Sequence, residues 1–344
     1  FAEGKMTGVF QLESRVAQST SRSLKPKRFE DIVALVALIR PGPLGAGMHN
    51  EFADRANNRK EIEYLHSDLE SILNETYGVI LYQEQVMQIA EKIAGFNLQE
   101  ADNLRVAMGK KIPKVMEEQR KKFTDGAVSN NYSEQFAIEL FDQIAYFAGY
   151  GFNKSHSVPY ALLAYQTAYL KANYPAEYIA ACLTAVKRDK DRTAIFLSEA
   201  RDMGVKVSTP DVNLSSSDFT VNDNEILFGL SAVRNVGDIT ADKIVFERES
   251  NGDFKSIEEF LSRIDSRSLN KRGVEALIQG GGLDKFGHTR KGMFDAVIDL
   301  IENAKELKAT KENNQASLFP IEEANSTTIN IKSAEWDKKE LLER

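Results

Sequence analysis

The chain has a single cysteine, Cys182, set in a run of helical pattern; a disulfide frame and a cysteine-based metal site are excluded, and a buried thiol is expected. No aliphatic run approaches a membrane span and the first residues carry no secretory pattern, which points to a cytoplasmic protein without a membrane partner. Positive charge is in deficit. The 44 Lys and Arg against 51 Asp and Glu give a formal net charge of −7 over 344 residues, which argues against a surface that binds nucleic acid all over. A Walker-type phosphate loop is absent, because Asn153 stands where Gly must precede Lys-Ser; a dinucleotide fingerprint would need Gly at Lys154 and a strand before it. Paired acids fit for two-metal chemistry are lacking as well. Asp189 and Asp191 form a D-x-D, but Lys187, Arg188, Lys190 and Arg192 are interleaved with them and neutralise them. No catalytic residue and no metal ligand is therefore assigned.

What is present centres on Phe147–Lys171, FAGYGFNKSHSVPYALLAYQTAYLK. Gly149 and Gly151 loosen the backbone, Asn153, Lys154, Ser155 and His156 supply donors, and Ser157 with Pro159 opens a helix. The first amides of a helix lack partners and sit at the positive end of its dipole, so a lysine, a hydroxyl and a histidine beside them suit an anion such as phosphate. By residue type a phosphate-contacting loop and a plain helix start with solvated Lys and His are equally good. Leu162, Leu163, Gln166, Tyr169 and Leu170 form an apolar stripe expected to seat the helix in a core.

Upstream, Phe29–Arg40 reads as an apolar helix stopped by Pro41-Gly42-Pro43, with Arg40 at its end. Thr76–Ala94 follows with helical spacing and Gly95 as its cap. In LQEADNLRVAMGKKIPKVMEEQRKKF, Gly109 is expected to break a helix ahead of Lys110 and Lys111, gathering those lysines with Arg105. Such a cluster could cradle phosphates, or form a solvated cationic face. A cationic groove on an anionic body would focus a polyanion onto one side.

The pattern changes after Gly204. Short strands are expected at VKVSTPDVN and Phe219–Leu230, the latter a hairpin about Asn222–Asn224. Two helix-turn units follow, one turning at Asn235, Val236 and Gly237, the other at Gly280, Gly281 and Gly282. Each is a helix-hairpin-helix candidate, in which a glycine turn offers backbone amides to a DNA phosphate; Arg234, Lys243, Lys271 and Arg272 would add charge. Asn235 replaces the usual first glycine, and asparagine tolerates the left-handed region. Ala304–Pro320 is expected to be a charged linker. Within it, QASLF (Gln315, Ser317, Leu318 and Phe319 among its residues) places two large apolar side chains in a polar tether, either as an anchor for a partner or tucked against its own domain.

Taken together, GVFQLES, RPGPL, TYGVILYQEQVMQIA, LRVAMGKK, AGYGFNKSHSVPYALLAYQTAYLKANYPAEY, the paired hairpins and QASLF occur in an order that resembles the C-family replicative polymerases of bacteria, the DNA polymerase III alpha subunits. The resemblance implies a mainly α fold: a multi-helix fingers domain followed by a small α+β module with tandem helix-hairpin-helix units. It implies the end of a palm at 1–14, fingers at 15–205, strands and duplex-binding hairpins at 206–303, a linker with the clamp peptide at 304–325, and a lead-in to an OB-fold at 326–344. Template-directed nucleotidyl transfer would use Mg2+ held by palm aspartates outside this chain, which is expected to be a piece of a longer protein and inactive alone. Arg105, Lys110, Lys111, Asn153, Lys154, Ser155 and His156, with Arg40 in second rank, would contact the deoxynucleoside triphosphate. Asn235, Val236, Gly237, Lys271, Arg272 and Gly280–Gly282 would contact primer-template DNA, and Gln315, Ser317, Leu318 and Phe319 the sliding clamp, alongside other replicase subunits. The family usually has a second arginine where Val106 stands, which leaves Arg105 to act alone or with the lysines. The alternative is a non-catalytic DNA-binding or clamp-adaptor protein on the same fold.

Overall fold

The structure is a computed structural model and describes residues 1–110, 113–148, 151–265, 267–315, 329 and 331–343. It divides into two compact units, Phe1–Ala172 and Asn173–Arg344.

In the first unit, α1 (Arg15–Leu24), α2 (Phe29–Leu38), α3 (Pro41–Gly45) and α4 (Met48–Ala56) gather around a core that includes Leu12, Leu24, Leu35 and Phe52. The Pro41-Gly42-Pro43 stop does end α2, but it also starts α3, since proline at a first helical position gives up no needed hydrogen bond. A second core is built by α5 (Glu70–Leu73), α6 (Gln83–Ala94), α7 (Leu98–Lys110), α8 (Pro113–Ser129) and α9 (Glu134–Ala148), around Ile89, Phe123 and Phe141. The helix expected from Thr76 begins only at Gln83 and is closed as expected by left-handed Gly95. Gly126 is needed where α8 crosses the end of α6: a Cβ there would lie 2.2 Å from the Ala94 carbonyl oxygen.

Two expectations are corrected here. Gly109 does not break α7, which runs on through Lys110; its cost of about 1 kcal/mol is outweighed by burial of Ala101, Leu104 and Met108 on the same helix. The helix α10 (Lys154–Asn173) is not seated through its Leu and Tyr stripe. Leu162, Leu163, Tyr169 and Leu170 are exposed, whereas Ser157, Ala161, Ala164 and Lys171 are buried. Small side chains let α10 approach α2 closely enough for the Ser157 hydroxyl to donate to the Val33 carbonyl at 2.8 Å. The buried Lys171 Nζ donates to the carbonyls of Lys5 and Thr7, tying the first residues to the helix.

In the second unit, α11 (Pro175–Val186) and α12 (Lys190–Asp202) pack on a three-stranded sheet of order β1-β3-β2, with β1 (Lys206–Val207) parallel to β3 (Glu225–Leu227) and β2 (Thr220–Asn222) antiparallel to it. Asp223 and Asn224 both have positive φ, the turn chemistry of a two-residue hairpin, where one was expected. The compact boundary precedes α11, because Ile179 and Leu183 share a core with Phe219 and Ile226. A further core holds α13 (Asp238–Asn251), α14 (Ile257–Arg263), α15 (Lys271–Gly280), α16 (Arg290–Asp295) and α17 (Val297–Gln315). The expected linker from Ala304 is helical to Gln315, in keeping with its Ala, Lys and Glu content. Trp336, ahead of α18 (Lys338–Glu343), lies edge-on to Phe294, and Glu335 accepts from the Arg290 and Lys291 amides that start α16.

Candidate functional site

Two chain segments far apart in sequence are zipped together in the first unit. Tyr82 and Phe152 form a parallel bridge, with the Phe152 amide donating to Leu81 at 3.1 Å and the Gln83 amide to Phe152 at 3.0 Å. The starts of α6 and α10 are thereby brought side by side. Gln83 spans the gap: its Nε2 donates to the Gly151 carbonyl at 3.2 Å, and its Oε1 accepts from Arg105 Nη1 at 3.4 Å. Arg105, on α7, and Lys154, at the start of α10, thus border one polar patch. Arg40 joins it from the cap position before α3, its guanidinium 3.7 Å from the centroid of the Phe152 ring.

Two cations of this patch, Lys154 and Arg105, already have anionic partners. Both Glu75 oxygens accept from Lys154 Nζ at 2.8 Å, both Glu84 oxygens accept from the Lys154 amide at 2.9 and 3.0 Å, and Asp102 accepts from Arg105 Nε at 2.8 Å. Carboxylates hold the places a phosphate would take at a helix start. Asn153 is engaged as the cap of α10, its Oδ1 accepting from the His156 amide at 2.8 Å and the Ser155 hydroxyl at 2.6 Å. The imidazole of His156 is exposed and lies between Phe152, which it meets edge-on, and Tyr160, with centroids 5.5 and 4.4 Å away. Burial, with Glu75 and Glu84 nearby, pushes the Tyr82 phenol far up, so Tyr82 stays neutral beneath Lys154 Nζ, 5.6 Å from its ring.

Arg40, Arg105, Asn153, Lys154, Ser155 and His156 therefore meet at one end of the first unit. The Lys110 side chain and Lys111 lie outside the described residues. Residue-type reasoning did not assign Glu75, Gln83, Glu84 or Asp102. Their roles depend on partners such as Gly151 and Lys154, which lie 79, 68 and 70 positions away for the first three, and no local pattern carries that.

In the second unit the two glycine turns differ. The first is open: Asn235 is left-handed (φ 62°) and exposed, as are Arg234 and Gly237, and Gly237 precedes α13 as its cap. Val236 is buried and donates its amide to Val233, so its role is to anchor the turn. Gly273 lets α15 press against this turn, since a Cβ there would sit 3.2 Å from the Asn235 carbonyl oxygen. Just inside α13, Lys187 and Arg188 hold Asp238, whose carboxyl they pull down to about 2.

The second turn corrects an expectation. Gly281 and Gly282 are buried, and their amides donate to Ile278 at 3.2 Å and Leu277 at 2.7 Å, closing α15 with left-handed Gly281. Arg290 covers the turn, bonded to Asp284 and the Gln279 carbonyl. These amides are spent on a helix cap and none is left for a phosphate. Lys271 and Arg272 are exposed at the start of α15. At the end of α17, the Gln315 side chain, with Ser317, Leu318 and Phe319, lies outside the described residues.

Residues 1–131 match the family described as the bacterial DNA polymerase III alpha subunit finger domain, and residues 204–313 match the helix-hairpin-helix motif. The protein named DNA polymerase III subunit alpha in Campylobacter jejuni is 44% identical over 327 residues, covering 94% of this chain and 27% of that protein. Its namesake in Mycobacterium tuberculosis is 42% identical over 349 residues (98% of this chain, 30% of the relative). That of Thermus aquaticus is 46% identical over 324 residues (92% and 26%). The chain thus spans between a quarter and a third of the length of the curated relatives it matches. Among the described residues no helix is long and apolar enough to cross a membrane.

Proposed function

We propose, for a chain that belongs to the bacterial DNA polymerase III alpha-subunit family over the stretch it spans, that it gathers the incoming nucleotide's triphosphate and grips primer-template duplex during template-directed DNA synthesis. The observation that carries this reading is the meeting of Arg105 and Lys154 across Gln83. Arg105 acts as a fork and Lys154 as a point charge on the phosphates, with Arg40, Ser155 and His156 at the edge and Lys110 and Lys111 following on the chain from α7.

Because Glu75, Glu84 and Asp102 already neutralise the patch, a triphosphate binds by exchange. It takes the place of carboxylates, and that exchange favours a highly charged anion over a monoanion. The contribution to catalysis is positional and electrostatic. Mg2+ supplies Lewis-acid chemistry for nucleotidyl transfer in this reading. Among the described residues no group of three or more His, Cys, Asp or Glu is placed to hold a metal ion, and the three acids of the patch are engaged by cations or amides, so the chain is assigned no metal-bound step.

Duplex contact is assigned to the open turn at Asn235 and Gly237 with Lys271 and Arg272, which read the backbone without sequence preference. Clamp attachment is assigned to Gln315, Ser317, Leu318 and Phe319, with other replicase subunits as further partners. Leu318→Ala with Phe319→Ala should abolish clamp association and spare short-primer synthesis; unchanged clamp affinity would retire that assignment. The central reading is tested by Arg105→Ala in a complete family polymerase carrying this stretch. The expected result is a rise in KM for deoxynucleoside triphosphate of about 10- to 100-fold, the loss of one charge-assisted contact, with duplex affinity unchanged. Equal loss of both would contradict it.

A further inference from the structure

The second unit contains a cleft of about 740 Å³ whose apolar lining the nucleotide and duplex assignments leave unused, although Asn235 and Arg272 beside it belong to the duplex assignment. It opens between α12, β1, the turn before α13 and α15, and its volume lies within the range of sites that enclose small ligands. Its floor is apolar: Leu197, Val205, Val207 and Phe228 line it, with Val233 and Ala276 beside them. Its rim is cationic. Arg201 on α12, Arg234 on the turn and Arg272 on α15 are all exposed, and none of the three guanidinium groups makes a hydrogen bond or ion pair with another described residue. Lys206 and Glu275, also on the lining, are already paired with Glu225 and Lys271. Thr209 and Gln279 add a hydroxyl and an amide to the lining, and the Ser208 hydroxyl there donates to the Ile226 carbonyl at 3.3 Å.

An apolar floor asks for a flat, poorly hydrated body, and three separate unpaired arginines ask for phosphate groups on more than one side of it. The Thr209 hydroxyl and Gln279 carboxamide on the lining suit the hydrogen-bonding edge of a base. We propose that this cleft takes one unstacked nucleotide of a single-stranded DNA segment, with its base on the Val207–Phe228 floor and its flanking phosphates on Arg234 and Arg272. The site recognises strand backbone and a base face together, and a duplex, whose bases are stacked, cannot use it. It shares Arg272 with the duplex assignment and differs from it in the floor residues, which belong to neither the triphosphate nor the duplex assignment.

The test is calorimetric titration of the chain with thymidine 3′,5′-bisphosphate, thymidine, inorganic phosphate and thymidine triphosphate. The bisphosphate is expected to bind at least about tenfold more tightly than thymidine or phosphate alone, and more tightly than the triphosphate. Arg234→Gln with Arg272→Gln should lower its affinity about tenfold or more, both residues being exposed and outside the core; Arg105→Ala should leave it unchanged. Val207→Trp, which fills the floor, should abolish binding, and Ala276→Leu serves if that variant does not fold. Equal affinity for phosphate and bisphosphate, tighter binding of the triphosphate, insensitivity to the paired arginine changes, or no binding at all would each overturn the proposal.

Discussion

The start of α10 and the turn before α13 are both helix N-termini with glycine, asparagine and basic residues nearby, yet the chain treats them in opposite ways. At α10 the first amide is held by Glu84, the lysine by Glu75 and the next turn by Asn153. Before α13 the turn is exposed, and the nearest acid, Asp238, is drawn off by Lys187 and Arg188. A helix dipole is common to both. What differs is whether neighbouring elements deliver a carboxylate, and that decides whether an anion must displace a resident group or can bind directly.

The sharpest way to break this contrast is to strip the occupied start of its cation. Lys154→Ala should raise the KM for nucleotide by about 30-fold, on the order of 2 kcal/mol, in a complete family polymerase, because it removes a phosphate contact and leaves Glu75 uncompensated, while the backbone amide still holds Glu84. Initial-rate kinetics would check this, and an unchanged KM would make Lys154 a structural ion-pair member only. Next in size is the second glycine turn. Gly281→Ala puts a Cβ at φ 87° and within 2.3 Å of Arg290 Nη2, and should destabilise the second unit by about 1–2 kcal/mol in urea unfolding. Duplex affinity of the folded variant should be unaltered, since those amides serve α15. A selective loss of duplex binding would return this turn to the DNA surface.

A smaller effect of opposite sign is expected from Glu84→Gln. A neutral amide competes less well than a carboxylate for the α10 start, so affinity for inorganic triphosphate should rise about three- to tenfold, measured by titration at low salt. Weaker binding would show that Glu84 orders the loop more than it blocks it. The smallest effect is pH-linked. Asp238 is held at about 2 in the folded chain, chiefly by Lys187, against an ordinary value near about 3.9. A depressed carboxylate contributes stability that is full above its unfolded value and is lost as pH falls through the folded one. Lys187→Met should therefore lower the melting temperature slightly at pH 7, with the difference from the parent chain closing between about pH 4 and 2. A difference constant over that window would mean that Lys187 acts through packing.

Much of this was legible in the residues. The helical character, the Gly95 cap, the two-residue hairpin at Asp223–Asn224 and left-handed Asn235 follow from local chemistry that the fold did not override. What escaped was set by partners. The large side chains of α10 pointed to a buried Leu and Tyr face, but the helix packs through Ser157, Ala161 and Ala164 because close approach to α2 rewards small residues. Three successive glycines looked like a phosphate turn, and Arg290 together with the end of α15 makes them a cap. Gln83 sat among polar neighbours with no assigned role. Its importance comes from Gly151, 68 residues on, and from Arg105 on the next helix.

The most direct test of the shared phosphate patch is nuclear magnetic resonance of the chain, labelled to report the Lys154 amide and the Arg105 side-chain Nε, during titration with deoxynucleoside triphosphate. The account predicts that both signals move together, with one dissociation constant, as the bonds to Glu84 and Asp102 give way to phosphate. Saturable binding that moves one signal and leaves the other in place would contradict it.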